Sequence, residues 1–173
     1  MLRRRDNADE LTRVYREHVD AVYAFFAYSL RQAAAEDLTS ATFERVLRSW
    51  RKYDPARGSE RAWILAIARN QLVDHYRRQS HRDALSTDEH PGLIETLGSG
   101  EEPLDRVLSA DELRRWLGVL GERERQIVAL RYSADLPAND IAEIVGLSPA
   151  NVHQILSRSL RRLREAAGVR SSA

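Results

Sequence analysis

The side chains best equipped for chemistry in this 173-residue chain gather near its C-terminus. Asn151, Gln154, Ser157, Arg158, Arg161 and Arg162 fall on one side of a helical spacing, and Val152, Leu156, Leu160 and Leu163 fall on the other. Amide side chains pair bidentately with adenine and guanidinium groups with guanine. Arginines further along such a helix suit phosphate oxygens. A second set surrounds Pro55–Gly58: Lys52 and the arginines at 48, 51, 57, 61, 69, 77 and 78 make a basic surface matched to a phosphate backbone. Trp50 and Tyr53 lie beside it and could stack on a base, although core or rim packing explains them better; Trp63 reads as core. This is binding chemistry, not bond-making. The histidines (His18, His75, His81, His90, His153) are scattered without metal-ligand spacing, and there is no cysteine. There is no glycine-rich phosphate loop and no nucleophile elbow. Asp37 and Glu44 are too isolated to read as a catalytic acid pair. The expectation is no enzyme, no catalytic residue, no metal and no cofactor.

Helices must position these groups. Leu11, Val14, Tyr15, Val19, Val22, Tyr23, Phe26 and Leu30 recur at spacings of three and four, which predicts a helix over 9–31. Phe43, Val46, Leu47 and Trp50 predict a second over 36–51. Pro55 and Gly58 break the chain, and Ser59 is placed to cap a third helix that reaches about Arg78. Ser109 to Glu112 is a capping-box pattern opening a helix to Leu120, and Glu122–Tyr132 forms the next. Pro137–Val145, the turn Gly146-Leu147-Ser148 and a final helix from Pro149 make a helix-turn-helix. In it Gly146 supplies positive φ, Ser148 caps, and Pro149 sits where no N–H is needed. No useful stretch alternates with period two, so the fold class is all-α.

Charge divides the chain further. The totals are 27 basic and 26 acidic residues, but residues 1–78 carry a net +4, residues 79–109 a net −5 and residues 110–173 a net +2. The acidic middle holds Pro91, Gly92, Gly98, Gly100 and Pro103 and reads as a flexible acidic linker. Two small helical domains result, at 1–80 and 109–173, joined by a linker at 81–108. Each lobe is small enough to bury only about 60% of its unfolded surface. No run of apolar residues is long enough to span a bilayer, and the Met-Leu-Arg-Arg-Arg start has no apolar core behind it. We expect a cytoplasmic protein without membrane insertion.

Taken in order and spacing, these segments resemble the extracytoplasmic-function (ECF) sigma factors of bacterial RNA polymerase. Ala35 to Phe43 is similar to the region-2 helix that docks on the polymerase β′ clamp. Arg61 to Asn70, followed by Tyr76-Arg77-Arg78, is similar to the segment that reads the −10 element. Leu117 to Arg164 is similar to region 4, which reads the −35 element. The resemblance implies a sigma factor that binds the polymerase core through the β′ clamp and β flap. It also implies recognition of promoter DNA and inhibition by an anti-sigma factor. It places −10 contacts on Lys52, Tyr53, Asp54, Arg57, Ser59, Arg61, Arg69, Asn70, Arg77 and Arg78, with the loop from Arg51 to Ser59 holding a flipped base. It places −35 contacts on Ser148, Asn151, His153, Gln154, Arg158, Arg161 and Arg162. Core-polymerase contacts fall on Asp37, Ser40, Phe43, Glu44 and Arg48. The linker would thread toward the active-site cleft.

The chain departs from the family pattern in places. Ser40-Ala41 stands where Gln-Glu is common in the clamp helix. Asn151-Val152-His153-Gln154-Ile155 replaces the frequent Thr-Val-Lys-Ser-Arg, which removes two phosphate anchors and predicts weaker salt dependence at −35. Gly121 stands where proline is frequent. Two rivals remain at this level: a dimeric helix-turn-helix regulator that never meets polymerase, and a sigma-like interaction module without DNA binding.

Overall fold

The structure, a computed structural model, describes residues 2–85 and 115–167. The helices described from end to end are α1 (Leu2–Ala27), α2 (Gln32–Ser49), α3 (Glu60–Leu85), α4 (Glu122–Tyr132), α5 (Ala138–Val145) and α6 (Pro149–Ala166), and residues 115–117 are helical as well. Two short 3-10 turns, Trp50–Lys52 and Pro55–Arg57, bridge α2 to α3. No strand occurs among the described residues. The all-α class therefore holds, as do a helix-rich N-terminal lobe and a C-terminal lobe ending in a helix-turn-helix.

In the N-terminal lobe α2 packs against both α1 and α3. Val14, Val22, Phe25 and Phe26 of α1, Phe43 and Val46 of α2, and Ile64, Leu65, Ala68 and Leu72 of α3 are buried. Each large side chain removed from water contributes roughly 1.5–3 kcal/mol. Polar groups on the buried faces are satisfied locally. Thr39 Oγ1 donates to the Ala35 carbonyl at 2.7 Å and Thr42 Oγ1 to the Leu38 carbonyl at 2.7 Å, the i−4 bond open to a helical hydroxyl.

Three element boundaries differ from expectation. α1 ends at Ala27, not near residue 31. The Ser29 and Leu30 amides both donate to the Phe26 carbonyl, and Arg31 is extended (φ −69°, ψ 158°). Leu30 is buried, so the apolar period persists through a turn and conceals it. α2 then starts at Gln32, four residues early. α3 continues to Leu85 because neither glycine nor proline interrupts the sequence before Pro91. The first five residues assigned to the linker are therefore helical. The rest of the 81–108 segment and the Ser109–Glu112 capping box lie outside the described residues.

The C-terminal lobe packs α6 against α4 and α5. Ile127, Leu130, Ile141, Ala142, Val152 and Leu156 form its centre, closed on one side by Leu117 and Leu120. These side chains and those of the N-terminal lobe belong to one contiguous buried cluster. The lobes do not lie apart: α1 meets α4 and α3 meets α5. Arg61 at the start of α3 donates to the Ala134 carbonyl beyond α4, at 3.2 Å.

Candidate nucleic-acid interface

Local chemistry fixes the helix-turn-helix. Gly146 ends α5 in the left-handed region (φ 69°, ψ 46°), and its amide donates to the Ala142 carbonyl. Glycine adopts this conformation without steric cost. Leu147 donates to the same carbonyl at 3.0 Å and packs against the core. Ser148 caps α6: its Oγ accepts from the Asn151 amide at 3.3 Å, and Pro149 occupies the first turn. Ser148 thus has a structural task, while Asn151, His153, Gln154, Ser157, Arg158 and Arg161 stand exposed on the outer side of α6. Arg162 is also surface-placed but committed within the lobe. It donates to Glu124 at 2.7 Å and to the Val119 carbonyl. Glu124 in turn accepts from the Gly121 amide at 2.9 Å, which fastens the start of α4. His153 also lines a groove of about 580 Å³ between α4, α5 and α6, beside Tyr132 and Asn139.

The basic loop between α2 and α3 is built on an aromatic base. Trp50 and Tyr53 stack at 5.4 Å, Tyr53 and Trp63 lie 5.4 Å apart, and Trp50 meets Trp63 edge-on at 5.9 Å. All three rings are half-buried. They support one another beneath the loop, so each is part packing and part surface. Burial, then Glu60 and Asp54, push the Tyr53 phenol above its ordinary range. Its hydroxyl donates to the Gly58 carbonyl at 3.3 Å. Asp54 turns the loop by accepting from the Ala56 amide at 3.0 Å, and Gly58 takes φ 155°, ψ 171°, a region essentially restricted to glycine. Ser59 Oγ accepts from the Ala62 amide at 3.2 Å and caps α3. Arg51, Lys52, Asp54 and Arg57 project into solvent.

Further along α3, Asn70, Arg77 and Arg78 are exposed, whereas Arg69 is half-buried. Burial, followed by the nearby Arg123 and Arg77, draws the Arg69 guanidinium below the ordinary arginine range. Its Nε has no hydrogen-bond partner. Arg61 is engaged with Ala134 of the other lobe. On α2, Asp37, Ser40, Glu44 and Arg48 are exposed, with Arg48 bonded to Glu44 at 3.2 Å. Phe43 is buried and packs edge-on against Tyr15 at 4.8 Å, so its ring serves the N-terminal core. Leu47, about half exposed, supplies an apolar surface on this helix.

Sequence reasoning also missed the group that anchors α3. Glu60 accepts from Arg13 at 2.9 and 3.3 Å and lies 2.7 Å from His18 Nε2. Burial raises the Glu60 carboxyl, but hydrogen bonds and charge from Arg13 and His18 outweigh it and leave the group below its ordinary range. Glu17, His18 and Glu60 bring ligand atoms within 4.8 Å of one another. Arg13 bonds both carboxylates, so a guanidinium already supplies the positive charge a metal would bring.

Two all-helical lobes, one presenting a capped recognition helix and the other a basic loop on an aromatic base, define a DNA-binding transcription protein. Residues 14–82 match the sigma-70 region 2 family model, and residues 116–165 match sigma-70 region 4. Over 157 residues the chain is 30% identical to the ECF RNA polymerase sigma factor BldN of Streptomyces coelicolor, covering 90% of this chain and 60% of that protein. It is 26% identical to the RNA polymerase sigma factor YlaC of Bacillus subtilis, covering 95% of this chain and 94% of the relative. The fold is similar to that of the sigma factor RpoE in its co-crystal with the anti-sigma factor NepR from Bartonella quintana. That likeness has TM-score 0.76 and 22% identity, and covers 95% of this chain and 98% of the other. The chain belongs to the sigma-70 family as an ECF RNA polymerase sigma factor.

Proposed function

We propose that the two lobes divide the reading of one promoter while mounted on core RNA polymerase. Residues 1–80 act as region 2 and residues 109–173 as region 4, with 81–108 as the connector. The loop Arg51–Ser59 captures an extruded base of the −10 element beside the Trp50–Tyr53–Trp63 base. Flipping a base costs a few kcal/mol, and stacking with cationic contacts to the strand offsets it. Asn70, Arg77 and Arg78 extend the contact along strand and duplex. The outer side of α6 reads −35, with Asn151 and Gln154 toward base edges and Arg158 and Arg161 toward phosphates. The exposed α2 residues Asp37, Ser40, Glu44 and Arg48 dock on the β′ clamp, and region 4 meets the β flap.

An anti-sigma factor is the proposed inhibitor, supported by the likeness of this fold to a sigma factor crystallised with one. The role is binding, not catalysis, and its setting is the cytoplasm; among the described residues no helix is long and apolar enough to cross a membrane. Family membership supports this reading and gives none to the dimeric regulator.

The observation that carries the proposal is the polar, solvent-facing side of α6 on a capped helix-turn-helix within a sigma-70 region 4. Its test is co-elution with purified core polymerase, paired with −35 duplex binding by the resulting holoenzyme. Arg158→Ala should weaken duplex binding about equally for all sequences, lower its salt slope by about 1, and leave co-elution unchanged. Equal loss of both would overturn the assignment of this face.

A further inference from the structure

Glu60 is the first residue of α3 and follows Ser59, the capping residue with which the Arg51–Ser59 loop ends. Three bonds from α1 hold its carboxylate: two from the Arg13 guanidinium, at 2.9 and 3.3 Å, and one from His18 Nε2 at 2.7 Å. First turns of helices fray readily, and these bonds act at the turn where α3 meets the loop. After burial, the Glu60 charge is the next influence on the Tyr53 phenol, whose hydroxyl donates to the Gly58 carbonyl at 3.3 Å. His18 itself is buried. Its partner is an ionised carboxylate, so Nε2 carries the proton, and Nδ1 is left buried without a partner. Such an atom costs stability, where an apolar side chain would fill the space without it. The cost persists where function constrains the position.

We propose that His18 and Arg13 are positioning residues for base capture, a role that rests on the function proposed above. Through the Glu60 carboxylate they hold the start of α3, and with it the Arg51–Ser59 loop, in the form that receives an extruded base. Neither needs to touch the strand. A binding site works when its parts stay within about 0.5 Å of their productive places. A loop fixed beforehand also spares the ordering cost at the moment of binding. At its α2 end the loop is held by the Tyr53 amide, which donates to the Trp50 carbonyl at 3.0 Å. The bonds from α1 supply the matching hold at the α3 end.

The test uses holoenzyme reconstituted from the full chain and core polymerase. It measures binding to fluorescent single strands of the −10 non-template sequence, taken from a promoter mapped with the wild type. An abasic nucleotide replaces each position in turn. In the wild type one position should matter most, its base tightening binding about 5- to 150-fold. That ratio of intact to abasic affinity is the readout. His18→Leu should lower it, while abasic affinity, co-elution with core and −35 duplex binding stay as they are. If the variant loop takes the capturing form one time in ten, the ratio falls about ten-fold. His18→Gln, whose side-chain amide can donate to Glu60, should restore much of it. Arg13→Gln, at an exposed position where folding is not at risk, should lower the ratio as well. Leu72→Ala, in the buried core three turns further along α3, should lower the melting temperature and leave the ratio unchanged. A ratio unchanged in both His18→Leu and Arg13→Gln overturns the positioning role. So does an equal fall in Leu72→Ala, or a ratio in His18→Gln no higher than in His18→Leu. A wild type for which no abasic position matters would instead overturn base capture itself, the functional reading.

Discussion

The Glu60 carboxylate joins the first turn of α3 to α1 through Arg13 and His18, directly behind the loop proposed to hold a base. Replacing it with glutamine removes the charge from these bonds and should cost about 1–2 kcal/mol near neutral pH, since the partners are partly solvated. The sign of its pH dependence follows from the lowered carboxyl. The folded form keeps Glu60 ionised more readily than the unfolded chain, so its stabilisation is complete above the unfolded value near 4.5 and fades as pH falls through the lower folded value. Thermal melts of wild type and Glu60→Gln should differ at pH 7 and converge as the pH falls through the lowered Glu60 value; a constant gap would show that the bonds do not depend on charge. Glu60 went unnoticed in the sequence because its partners lie 42 and 47 residues away. Arg162 and Phe43 show the same limit. Helical spacing identified their faces, but only tertiary packing reveals that Arg162 is bonded to Glu124 and Phe43 rests on Tyr15.

At the scale of elements, the helix-turn-helix was legible almost completely because its signals are local. Gly146, Ser148 and Pro149 each answer a conformational demand of their own residue or near neighbours. Gly146→Ala should cost roughly 1–2 kcal/mol from the left-handed backbone alone, because a Cβ there meets nothing within 4 Å. Gly146→Asn should recover much of the loss, since asparagine tolerates this region. Chemical denaturation of the three proteins checks the order; equal loss in both variants would point to a side-chain clash instead. The N-terminal helices were legible in existence but not in extent. Leu30 kept the apolar period alive past the end of α1, and the acidic composition after residue 78 imitated a stop that the backbone of α3 ignores.

Across the whole molecule, sequence-level reasoning divided the chain into separate lobes and had no means of seeing them meet. Segment charges describe the partners each lobe suits, while the seam depends on residues some 70 positions apart, such as Arg61 and Ala134. The folded chain places the basic loop between α2 and α3 beside its own helix-turn-helix, and the proposed function has the two lobes read one promoter on core polymerase. Transcription with purified core polymerase on a promoter template, with the start site mapped at nucleotide resolution, tests this most directly. The account predicts one defined start with the wild type, reduced initiation with Arg158→Ala, and no defined start with core alone. Uniform or absent initiation with the intact chain, at concentrations where it co-elutes with core, would contradict it.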